Sequence, residues 1–131
     1  MTDFFVPEDE GAILELNDPN GNPWLKPDGT PVTIRLAGMD TLRWQKAKDS
    51  VFNRVVKTSA PNRPAWKTAE EQRGDEAFML ASVTLGWDGV TDAECTPANV
   101  KQFYLTPKNY FIREQVDAFV GERRNFLKAS S

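Results

Sequence analysis

The apolar residues of this chain change period once, near residue 40, and that switch restricts the possible folds more than any other feature. Val32, Ile34 and Leu36 alternate with Thr33 and Arg35, the two-residue period of a half-buried strand. Upstream, the short apolar run Ile13, Leu14 and Leu16 stops at Asn17-Asp18-Pro19-Asn20-Gly21, and a second turn follows at Lys26-Pro27-Asp28-Gly29, with Trp24 and Leu25 between them. Residues 1–40 therefore predict a small antiparallel sheet. Beyond Asp40 the spacing becomes helical, so residues 41–127 predict about four helices, and the expected fold is α+β in one domain spanning 1–131.

Each helix has a local start signal. Asp40 offers a carboxylate as N-cap to a helix over 41–57 whose apolar positions are Trp44, Ala47, Val51 and Val55. Residues 58–64 carry two prolines and no apolar pattern, so they read as a flexible loop. Thr68-x-x-Glu71 spells a capping box, and the helix it opens is expected to present Phe78, Ala81 and Leu85 and to stop at Gly86. Gly74 weakens its opening turns by up to about 1 kcal/mol relative to Ala. A tight turn is expected at Trp87-Asp88-Gly89.

Two Thr-Pro pairs, Thr96-Pro97 and Thr106-Pro107, each set an N-cap hydroxyl before a proline suited to the first helical position. They predict a short helix with Val100, Phe103 and Tyr104, then a longer one with Ile112, Val116, Phe119 and Val120 in one stripe and Phe126 and Leu127 near its end. Burying those four stripe residues is worth roughly 6–12 kcal/mol as an upper bound, so the stripe must meet a partner surface inside or outside the chain. Arg123 and Arg124 are expected to complement the dipole at the end of that helix.

Composition narrows the function. A chain of 131 residues hides roughly two thirds of its unfolded surface on folding, and 8 Phe, 4 Trp and 2 Tyr supply large core side chains. Lys and Arg number 16 against 19 Asp and Glu, a net charge of −3, which argues against a nucleic-acid partner even where Trp44, Trp66 and Trp87 alternate with basic residues. The lone Cys95 forms no intrachain disulfide and reads as a half-buried thiol near a helix start. No window approaches the roughly 18 apolar residues of a membrane span, and residues 1–10 lack the pattern of a secretory signal.

The sequence contains no histidine, which removes the commonest general base near neutral pH and the commonest transition-metal ligand. One cysteine cannot build a cysteine-rich metal site, and no phosphate- or dinucleotide-binding glycine loop is present. The acidic groups Glu8-Asp9-Glu10 and Glu70, Glu71, Asp75 and Glu76 read as solvated charge, the second set in the opening half of a helix. Asp18, Asn20 and Asn22 alternate as in a calcium loop, but Pro19 and Gly21 interrupt them and no glutamate closes the site. No enzymatic activity, cofactor or metal is expected.

The order Trp87-Asp88-Gly89-Val90, the acid Asp92, Thr96-Pro97-Ala98-Asn99-Val100, a short helix, a second helix start and a terminal Asn125-Phe126-Leu127 resembles the C-terminal pattern of tail assembly chaperones of long-tailed bacteriophages. Gly21-Asn22-Pro23 after Asp18-Pro19-Asn20, the strand ending in Leu36-Ala37-Gly38 and the acid-led helix at Asp40 with Trp44 and Ala47 are also similar to that family. The resemblance touches most of the chain and rests on the order of features.

It implies a protein of the infected host's cytoplasm that coats the largely helical tape-measure protein, keeps it soluble, helps recruit tail-tube subunits and is absent from the mature virion. In that family a frameshifted longer product often carries the tube-binding extension, and members self-associate around the client. On this reading the candidate protein-binding residues are Trp87, Phe103, Tyr104, Ile112, Val116, Phe119, Val120 and Phe126. The alternatives are a minor tail or connector protein of the virion and a carboxylate-dependent hydrolase or nuclease.

Overall fold

Backbone hydrogen bonding organises the N-terminal part around two strands that are far apart in sequence. A computed structural model describes residues 4–58 and 68–128. Strand β1 (Ala12–Glu15) pairs antiparallel with β2 (Thr33–Leu36), with Leu14 opposite Ile34. The intervening residues fold back twice, through bridges between Asn17 and Pro23 and between Leu25 and Pro31. Leu16, Trp24 and Val32 close the excursion in a ring of backbone bonds of 2.9–3.0 Å. Asp18 Oδ1 accepts the N–H groups of Asn20 and Asn22, so this oxygen of the calcium-like triplet organises the turn.

The helices are α1 (Leu42–Thr58), α2 (Ala69–Ser82), α3 (Pro97–Leu105) and α4 (Tyr110–Val120). A third strand, β3 (Thr84–Asp88), joins β2 on its free side, giving an antiparallel sheet in the order β1-β2-β3 and an α+β fold. No described helix is long and apolar enough to cross a membrane. The expected flexible loop at 58–64 lies outside the described residues, apart from Thr58, which ends α1.

Several expected boundaries move. The helix expected to run to Gly86 ends at Ser82, and Leu85 and Gly86 belong to β3. Here β2 offers a ladder of partners that replaces the next helical turn, with Gly86 opposite Arg35 and a bulge at Leu85 because Leu36 already faces Thr84. The buried face of α2 is accordingly Ala77, Leu80 and Ala81, and Phe78 is exposed.

Asp40 does not cap α1. Thr41 Oγ1 accepts the Trp44 N–H at 3.3 Å, and the Glu8 carboxylate, 34 residues upstream, accepts from Leu42 and Arg43. Asp40 instead binds Arg123 through two hydrogen bonds of 2.6 and 3.0 Å. The caps at Thr68 and Thr96 form as expected, accepting from Glu71 and Asn99.

Thr106 departs from the pattern. Its hydroxyl donates back to the Gln102 carbonyl, Pro107–Asn109 form a 3-10 turn, and α4 starts only at Tyr110. The final helix is also shorter than expected, because Arg123, Arg124 and Phe126 belong to a separate 3-10 turn after Gly121. Arg123 therefore acts as an ion-pair partner of Asp40 rather than as a charge in the last turn of α4.

One core joins the sheet to three helices. Leu16, Val32, Ile34 and Leu36 from the sheet side meet Leu80 and Ala81 of α2, Val100 and Tyr104 of α3, and Ile112, Val116 and Val120 of α4. The spacing of four in the last group puts one methyl-rich stripe on one helix face. Phe126 closes the open end of this core, its ring edge-on to Phe119 at 5.4 Å. The N-terminal arm seals the same end: Val6 donates to the Phe126 carbonyl, and Lys128 donates to that of Phe4.

Candidate protein-binding surface

The core consumes most of the surface expected to bind a partner. Tyr104, Ile112, Val116, Val120 and Phe126 are buried within the chain, and a client cannot reach them while the fold is intact. Trp87, Phe103 and Phe119 are half-buried and pack against that core. Trp87 tilts against Phe103 at 5.3 Å, and its indole N–H donates to the Ala93 carbonyl at 3.1 Å. The eight expected residues thus form no common outer surface, because the stripe on α4 finds its partner inside the molecule.

Burial also shapes two titrating groups. Burial pushes the Tyr104 phenol well above its ordinary range, opposed in part by the hydrogen bond of 2.8 Å between its hydroxyl and that of Thr84. Burial likewise raises the Cys95 thiol, so it stays protonated near neutral pH. Neither environment activates a nucleophile.

Most of the carboxylates weighed as chemical groups hold the fold together. Glu8 caps α1, Glu71 engages the Thr68 cap, Asp75 pairs with Arg54, and Glu76 binds Arg113 at 2.5 Å. Among the described residues no group of three acidic or thiol side chains is arranged to hold a metal ion.

Apolar surface remains on the first two helices. Leu42 and Phe52 of α1 are 55% and 65% exposed, and Phe78 of α2 is 37% exposed. Position along α1 explains the first two: Ala47 faces the core, and residues five positions to either side fall on the outward side of a helix with 3.6 residues per turn. Trp44 and Val51 are half-buried nearer the inward side.

Beside Phe78 lies a groove of about 430 Å³, within the roughly 300–1,000 Å³ range of ligand clefts. Phe78 and Ala81 of α2, Leu85 of β3, and Pro97 and Val100 of α3 form its apolar walls. Arg43 of α1 stands at its margin, and Cys95 lies beside the start of α3. Of these residues the sequence signalled Phe78, Ala81 and Leu85 as one helix face, Pro97 and Val100 as part of a helix, and Cys95 as half-buried. The groove itself had no local signal, because it arises where β3 interrupts the expected run of helix.

Comparison with known protein families, characterised proteins and solved structures gives no match to this chain. The functional reading therefore rests on the chain's own surface and on the order of its sequence features.

Proposed function

We propose that the chain is a non-enzymatic binding protein, a tail assembly chaperone of a long-tailed bacteriophage that holds the tape-measure protein soluble and helps recruit tail-tube subunits. The observation that carries this reading is the apolar surface of α1 and α2: Leu42, Phe52 and Phe78 stay exposed although the sheet, α3, α4 and the Ala77, Leu80 and Ala81 face of α2 already furnish the core. A long amphipathic helix is the kind of client that such a surface buries without any reacting group. The order of turns and helix starts from Trp87 to Phe126 supports the same reading. The site of action is then the host cytoplasm, and the protein leaves before the virion matures.

Co-expression with the tape-measure protein of the same genome tests this directly. The expected result is a complex that survives purification and a tape-measure protein that stays in solution, with binding in the micromolar range. Failure both to bind and to suppress aggregation rejects the proposal. Stoichiometric recovery of the chain from purified virions by mass spectrometry would instead identify a minor tail or connector protein.

A further inference from the structure

We propose that the groove between α1, α2, β3 and α3 receives one face of an amphipathic protein helix whose apolar residues are accompanied by a carboxylate, and that Arg43 binds this carboxylate. The inference rests on the binding reading above and adds the place and the charge of the contact.

Three hydroxyls line the groove, and each is engaged within the chain. Ser82 donates to the Met79 carbonyl at 2.5 Å, Thr84 donates to that of Leu80 at 2.8 Å, and Thr96 accepts from the Asn99 N–H at 3.3 Å. What faces an occupant is therefore chiefly hydrocarbon from Phe78, Leu85 and Pro97, with the buried Ala81 and Val100 beneath them. A sugar or a nucleobase edge finds few free hydrogen-bonding groups there, whereas Leu or Phe side chains on one helix face find an apolar wall.

Arg43 is the one charged residue among those lining the groove. Its acidic neighbour Asp9 stands 3.7 Å away and is 95% exposed, an ion pair that water screens strongly. A carboxylate brought in by a partner, partly shielded by the apolar wall, competes well for that guanidinium. Asp92 and Glu94 lie on the segment leading to Cys95 and line the adjoining open surface. These acids repel phosphate and other anions from that neighbouring surface, which leaves Arg43 as the group that meets a partner's carboxylate.

The test uses a synthetic amphipathic helix of about five turns with leucines on one face and glutamates beside them, and a second version with lysines in place of the glutamates. Fluorescence anisotropy with the full chain is expected to show micromolar binding of the glutamate helix and binding of the lysine helix about three- to tenfold weaker. Arg43→Glu should invert that preference. Phe78→Asp, at an exposed position, should abolish binding while circular dichroism stays unchanged, and Leu25→Asp, an exposed apolar position in the sheet region outside the groove, should have no effect.

Equal binding of the two helices, no binding of either, loss of binding in Leu25→Asp rather than Phe78→Asp, or competition by single-stranded oligothymidylate would each overturn the assignment. The outcomes also separate it from the chaperone reading. If the tape-measure protein binds and the groove variants leave that binding intact, the groove fails and the chaperone stands. If the synthetic helix binds and the tape-measure protein does not, the reverse holds.

Discussion

The side-chain amide of Gln115 on α4 pairs with both backbone polar groups of Asn17, accepting its N–H at 2.8 Å and donating to its carbonyl at 3.0 Å. A glutamine thus completes the hydrogen bonding of a strand end 98 residues away in sequence. It couples the first turn of the sheet region to the last α-helix. Gln115→Ala is expected to lose about 1–2 kcal/mol, two ordinary hydrogen bonds, read as a lower urea midpoint at unchanged slope. Gln115→Glu should cost at least as much, because it replaces the donor with a second acceptor. Wild-type stability in either variant would show that water serves Asn17 equally well.

Phe119 distinguishes core from surface on α4. Its ring packs edge-on against Phe126 and against the common core. Phe119→Ala should therefore destabilise the chain by about 3 kcal/mol, the low end for a buried phenylalanine, because the residue is half-buried. Phe78→Ala, at an exposed position, should cost less than about 1 kcal/mol, with surface substitutions as the guide. Denaturant titration of both variants measures the contrast. Equal losses would contradict the division between core and exposed surface.

Gly38 is held by a close contact. A Cβ there would come within 2.8 Å of the Phe126 ring. Gly38→Ala should therefore cost about 1–3 kcal/mol as overpacking, and Phe126→Leu in the same chain should recover part of the loss, since it removes the obstructing ring. A double-mutant cycle reads this coupling as non-additivity. Gly11 is more strictly required, because it combines a φ of +61° with a backbone carbonyl 2.3 Å from where a Cβ would sit.

Tyr104 predicts a loss of stability in alkali. Its folded-state pKa is raised by burial above the unfolded value, so its contribution is fully present below about pH 10 and falls as pH rises beyond it. Tyr104→Phe should lower stability at pH 8 by about 0.5–1.5 kcal/mol through the lost bond to Thr84. It should also flatten the alkaline limb. Midpoints of urea unfolding from pH 8 to 11, compared between the two proteins, isolate this residue from the lysines that titrate in the same range. Parallel curves would disprove the assignment.

Asp40 and Arg123 form a bidentate pair at a partly exposed site, with side chains 32% and 60% exposed. Arg123→Ala should change global stability by no more than about 1 kcal/mol. Its clearer effect should be local, because Arg123 opens the 3-10 turn that leads to the paired chain ends. Faster hydrogen exchange at the Val6 and Lys128 amides, with core amides unchanged, is the expected signature. Uniform acceleration would mean that the pair supports the whole fold.

The sequence by itself determined the features that depend on neighbours within one turn of chain. The Asp18 and Asp28 turns, the Thr68 and Thr96 caps, and the alternation through Val32, Ile34 and Leu36 all appear where local chemistry places them. The α+β class was legible for the same reason. Tertiary structure decided every feature involving a choice between distant partners. Leu85 and Gly86 left the expected helix, and Trp87 and Asp88 the expected turn, because β2 offered an open edge, and Asp40 left its local helix for Arg123 while Glu8 took the cap. The apolar stripe on α4 was visible in the letters, yet its destination was not. Periodicity marks which side of a helix avoids water, but only packing decides whether that side meets the chain's own sheet, as at Ile112, Val116 and Val120, or leaves a residue such as Phe78 beside an open groove.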